Sequence, residues 1–125
     1  MLATVARAAD ARRDEPLDGA ALYATHCSLC HGRFGEGDGI LAPSLAVVLQ
    51  DLRYLSRRNN GEFPRDFIVN IIDGRAVRAA HGPEGMPVWG AEFARGKPIG
   101  EQTEQATESH IQALAQFLES IQIAP

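Results

Sequence analysis

Apolar positions recur along the chain at three- and four-residue steps, the spacing of a buried helical stripe. The clearest stripe lies near the C-terminus. There Ile111, Leu114, Ala115, Leu118 and Ile121 fall on one side, with Phe117 beside them. This spacing predicts a helix from about Thr103 or Thr107 to Ile121. Phe67, Ile68, Ile71 and Ile72 give another helix its apolar face, with Pro64 suited to its first position and Gly74 to its end. A further helix is expected from Gly19 to Cys30. Asp18 is placed to cap it, Leu17 and Leu22 to staple its entry, and Gly32 to stop it. Leu45 to Leu55 is expected to hold a short helix, with Val48, Leu49, Leu52 and Leu55 on one side.

The intervening segments lack this periodicity. Gly32, Gly35, Gly37, Gly39 and Pro43 mark residues 32–46 as loop, and Asn59-Asn60-Gly61 reads as a turn. Residues 74–101 carry six glycines and three prolines and read as one long loop. No segment alternates like a strand. The expected fold class is therefore all-α, with three to five short helices joined by long loops. The Ala/Arg/Asp-rich residues 1–16 read as a flexible N-terminal arm, and residues 17–125 as a single domain.

Composition narrows the function classes. The chain has 125 residues, suited to one domain. Only 6% of them are aromatic, so a large buried cofactor would help complete the core. A net charge of −4 argues against nucleic-acid binding. No apolar run reaches bilayer-spanning length. Ala6-Arg7-Ala8 fits the small-x-small rule for signal cleavage, which suggests the tail of an export signal that is not complete in this chain; a plain terminal tail fits equally.

The chemistry concentrates in Cys27-Ser28-Leu29-Cys30-His31, which holds the only two cysteines. This is the C-x-x-C-H pattern for covalent haem attachment. Cysteines at i and i+3 share one face of a helix end, so both sulfurs reach the vinyl groups of one porphyrin edge. His31 then aims its imidazole at the iron. A thioredoxin-like redox pair would need a surrounding βαβ pattern, and a zinc site would need a second Cys/His pair. Neither is evident. The expected cofactor is thus one haem c, covalently bound, with its iron.

For the second axial position the sequence offers Met86, in Gly85-Met86-Pro87-Val88-Trp89-Gly90, as the only internal methionine. Its uncharged thioether is a soft ligand, and Met/His ligation raises the reduction potential. Pro87 would stiffen the strap. His81 is the rival ligand, and an open site the other alternative. His26 belongs to the attachment helix on a different face, and His110 reads as a surface residue. Haem propionates need donors, and the available pool is Arg57, Arg58, Asn59, Asn60, Arg75, Arg78 and Trp89. Of these Asn60, Arg75 and Trp89 are the candidates, although each also fits an ordinary surface or turn position and Trp89 also fits packing against the haem edge.

The chain resembles the class I cytochromes c in their bacterial periplasmic branch. The resemblance rests on Gly19-x-x-x-Tyr23, Cys27-x-x-Cys30-His31, Ala42-Pro43-Ser44-Leu45, Gly85-Met86-Pro87 and the terminal Leu114-Ala-Gln-Phe117-Leu118. It implies a monohaem fold wrapped around the cofactor. The terminal helices would cross at Gly19, with Tyr23 and Phe117 packed alongside. The Pro43 carbonyl would accept from the proximal imidazole of His31. Residues 89–100 are longer and more polar than in the smallest members.

The resemblance also implies an exported, periplasmic single-electron carrier rather than an enzyme, working alone or within a redox complex. Its partners would be a dehydrogenase donor or an oxidase or reductase acceptor. A peroxidase-like or gas-binding haem protein with an open distal site is the alternative. Arg53, Arg57, Arg58 and Arg65 make mid-chain basic, and Glu101, Glu104, Glu108 and Glu119 make the last segment acidic, an asymmetry that could steer docking.

Overall fold

A computed structural model describes residues 17–76 and 85–124. The arm expected over residues 1–16, together with Arg78 and His81, lies outside these described residues. Among them the secondary structure is entirely helical, so the all-α expectation holds.

Helix α1 spans Gly19–His26. Asp18 caps it as expected, its carboxylate accepting from the Ala20 and Ala21 N–H groups at 3.0 and 3.2 Å. The helix does not run on to Cys30. It breaks at Cys27 (φ −118°, ψ −33°) and resumes as the single turn α2, Ser28–His31. The hydroxyls of Thr25 and Ser28 donate back to the Ala21 and Ala24 carbonyls, at 3.0 and 2.6 Å. Such back-bonding competes with the helix's own ladder and bends it. Gly32, at φ 87°, ends α2.

The expected helix over Leu45–Leu55 is a correction. A 3₁₀ turn covers Ala42–Ser44, and a second at Leu52–Tyr54 leads into the short α3, Leu55–Arg58. Val48 is 96% exposed, so the apolar run between the turns does not face the core. Helix α4, Arg65–Asp73, buries Ile68 and Ile72 and ends at Gly74 in the left-handed region. The loop expected over residues 74–101 is also corrected, because it contains helix α5, Trp89–Ala94. Helix α6 begins earlier than its stripe implied and spans Glu101–Ser120. Its first turn is polar and acidic, which suits a helix N-terminus but leaves no apolar period to read.

The two ends of the chain close the fold. Helices α1 and α6 cross at Gly19, where an added Cβ would collide with the Ala113 carbonyl oxygen. Tyr23 and Phe117 pack beside the crossing with ring centroids 5.0 Å apart. Around it Ile68, Ile72, Ile111, Leu114, Ala115 and Leu118 form the buried core. Burying such aliphatic side chains contributes roughly 1.5–3 kcal/mol each before entropy is counted.

The C-terminal segment is stitched to the second 3₁₀ turn. Gln122 Nε2 donates to the Leu52 and Leu118 carbonyls, both at 2.8 Å, while its Oε1 accepts from the Ser56 N–H at 2.9 Å. Ile123 N–H adds a bond to the Arg53 carbonyl at 2.9 Å.

Candidate functional site

An apolar pocket opens between these elements. It encloses about 490 Å³ outside protein atoms, part of it open to solvent. Tyr23 and Cys27 come from α1 and the break that follows it, and His31 from α2. Leu52 and Leu55 form one wall, Ile68, Ile71 and Ile72 of α4 another, and Leu114 and Leu118 of α6 a third. Met86 enters from the segment before α5. Three of the residues singled out in the sequence, Cys27, His31 and Met86, therefore meet in one cavity. Cys30 sits half-buried on the same turn as His31, outside the lining.

Local chain geometry fixes the turn that carries Cys27, Cys30 and His31. The Gly37, Gly39 and Leu41 N–H groups donate to the His31, Cys30 and Leu29 carbonyls at 2.8, 3.1 and 2.8 Å. Tyr23 Oη donates to the Gly32 carbonyl at 2.7 Å. These bonds satisfy the carbonyls that a helix end leaves free. Burial pushes the Tyr23 hydroxyl up to about 12, so it stays a neutral donor.

The environment suits a bound metal macrocycle. Burial lowers the His31 pKa, which favours the neutral imidazole with a lone pair to offer a metal. Its Nδ1 is buried and has no hydrogen-bond partner. An orphaned imidazole nitrogen at an otherwise apolar pocket is costly unless the ring is used. Burial, and then the neighbouring Cys30, raises the Cys27 thiol to about 12, so in this form it is a neutral thiol. The thioether of Met86 is the only other soft donor lining the pocket. The residues present thus fit haem, with two sulfurs on one helical turn and a neutral imidazole and a thioether at one apolar cleft.

The remaining candidates do not line the pocket. Pro43 is exposed in its 3₁₀ turn, and its carbonyl makes no bond to His31 Nδ1. Asn60 occupies the turn with φ 57°. Arg75 is engaged by Asp73 in a two-pronged pair (2.8 and 3.0 Å) and by Glu104 at 2.7 Å. The Arg75 guanidinium holds the Asp73 carboxyl below its ordinary range. Trp89 packs its ring against His26 and Phe93, with centroids 4.9 and 5.5 Å away. His110, expected on the surface, is partly buried against Phe93 at 5.1 Å. The charge asymmetry is partly cancelled within the chain, since Arg65 pairs with Glu119, and Arg53 with Asp51 and Glu36.

Residues 14–118 match the family described as Cytochrome C oxidase, cbb3-type, subunit III. The chain belongs to that family. No curated protein and no solved structure shows significant similarity to it. As a c-type cytochrome domain it binds haem c with its iron and serves electron transfer. Among the described residues, no helix of this cytochrome is long and apolar enough to cross a membrane.

Sequence reasoning missed Leu52 and Leu55 as a pocket wall, the Gln122 stitch behind them, and the His26–Trp89–Phe93–His110 ring cluster. The apolar character of Leu52 and Leu55 was visible, although they belong to a turn rather than a helical stripe. Gln122 carries no sequence signal, because the two bonds that tie it to the second 3₁₀ turn and α3 go to main-chain groups more than sixty positions away.

Proposed function

We propose that this cytochrome is a monohaem, single-electron carrier with its iron held between His31 and Met86. The observation that carries the reading is the convergence of Cys27, His31 and Met86 on one apolar pocket. Cys27 and Cys30 attach the haem, which prevents its loss from a cleft that is open to solvent. The haem supplies a one-electron ferric/ferrous couple. The protein's part is to exclude water with Leu52, Leu55, Ile68, Ile72, Leu114 and Leu118, while His31 and Met86 would hold the iron. A low-polarity wall and a thioether ligand both favour the ferrous form and raise the potential.

The proposed setting is the bacterial periplasm, and the proposed partners are redox proteins: a dehydrogenase donor, or an oxidase or reductase acceptor. The family match supports a place within an oxidase-type complex. Pro43, Asn60, Arg75 and Trp89 gain no support from the pocket lining as direct cofactor contacts.

Optical spectra of the haem-matured protein test this reading, recorded oxidised and reduced, with and without carbon monoxide. The expected result is a sharp low-spin reduced spectrum, a weak sulfur-to-ferric-iron band and no response to carbon monoxide. A high-spin spectrum that shifts with carbon monoxide would replace the carrier with the open-site alternative.

A further inference from the structure

Met86 lies in the irregular segment 85–88, which runs straight into α5. Six residues are too few for a helix to stand on its own, so the position of α5 must come from its packing. One side of α5 is fixed at Gly90. An added Cβ there would collide with the Asp73 carboxylate, so the Asp73–Arg75 pair lies directly against the helix backbone. Arg75 continues to Glu104 on α6.

The other side is fixed by rings. Trp89 and Phe93 are four residues apart and share one face of α5. The His26 imidazole packs on both, with centroid distances of 4.9 Å to Trp89 and 5.3 Å to Phe93, the latter edge-on. His110 packs against Phe93 as well, at 5.1 Å. His26 is the last residue of α1 and directly precedes Cys27. One imidazole therefore ties the helix that follows Met86 to the turn that carries the attachment cysteines.

We propose that His26 is a positioning residue: by packing on Trp89 and Phe93 it fixes α5 and thereby holds the Met86 thioether in the haem pocket. This rests on the reading of Met86 as axial ligand. His26 itself does not line the pocket. Its work is done by ring contact, so another flat ring should replace it. Aromatic pairs of this kind are worth up to about a tenfold change in a local opening equilibrium.

The test uses the full haem-matured chain and two readouts: the sulfur-to-ferric-iron band and the rate at which added imidazole binds the ferric protein. His26→Ala is expected to weaken the band and speed imidazole entry by about tenfold, with covalent haem content unchanged. His26→Phe is expected to restore both. An unaltered band and rate in His26→Ala overturns the proposal, as does a His26→Phe protein as impaired as the alanine variant. Should His26→Ala fail to fold, His110→Ala removes another ring of the same cluster. A smaller acceleration is then expected, and none overturns the proposal. Met86→Ala separates the two readings. If the parent protein lacks the band, or keeps it in Met86→Ala, the ligand assignment falls and this inference with it. If Met86→Ala loses the band while His26→Ala keeps it, only the role of His26 falls.

Discussion

The two sides of the apolar pocket are built by different means. The Cys27 side, from Cys27 to Leu41, folds back on itself through main-chain bonds between residues close in sequence. On the Met86 side the described chain runs directly into the short α5, and α5 is held by side chains from α1, α4 and α6. Main-chain bonds survive most substitutions, whereas a helix held by particular rings and one ion pair does not. The Met86 side is therefore the softer half, and the half on which distant substitutions should act.

The largest expected effect falls on the Cys27 side. Replacing both Cys27 and Cys30 by alanine removes the covalent link, and acid–acetone extraction should then strip the haem that the parent protein retains. Next comes Met86→Ala, which should lower the midpoint potential by on the order of 0.1 V, part of the roughly 0.8 V span that axial ligands command. A redox titration reads it, and an unchanged potential would give the axial position to another group. Gly19→Val overpacks the α1–α6 crossing and should cost about 1–3 kcal/mol in denaturant melts while leaving the haem spectrum alone.

Gln122→Ala leaves the Ser56 N–H without its acceptor and frees the Leu52 and Leu118 carbonyls; it should cost about 1–3 kcal/mol. Because Leu52 and Leu55 wall the pocket, a small drop in potential should accompany the loss. The smallest effect is expected for Arg75→Ala, about 1 kcal/mol, since its pairs remain partly exposed to solvent. Arg75 lowers the folded pKa of Asp73 below 3.8. That contribution is complete above about pH 3.8 and is lost as pH falls through the lowered value. The variant should therefore show a shallower loss of stability with acid. An unchanged acid limb would mean that Arg75 leaves Asp73 untouched. A large fall in potential in this variant would instead return Arg75 to the haem.

The same contrast governs what could be read from the sequence. Cys27, Cys30 and His31 fall within five consecutive residues, so their placement on one turn was legible. So were the stripe of α6 and the Ile68 and Ile72 positions of α4, although Phe67, expected on the same face, is exposed. Helix α5 was not legible. It has six residues, begins with Trp89-Gly90, and follows a glycine- and proline-rich run, so its helicity comes from packing rather than propensity. The break at Cys27 also escaped, because hydroxyl back-bonding by Thr25 and Ser28 is weak in sequence and decisive only in three dimensions. The roles of His26 and Gln122 depend on partners brought together by the fold, and no local pattern announces them.

The crossing at Gly19 and Ala113 also closes nearly the whole described chain into a ring. Closing a ring costs entropy that grows only with the logarithm of its length, about 0.6 kcal/mol for each doubling. Adding a few residues to exposed stretches within the ring, such as residues 45–48 or 95–100, is then nearly free. Shifting one residue at the crossing is not, because the glycine's missing side chain must face that one carbonyl. The fold thus holds its pocket in a fixed register at the crossing while its exposed loops tolerate added length at little cost.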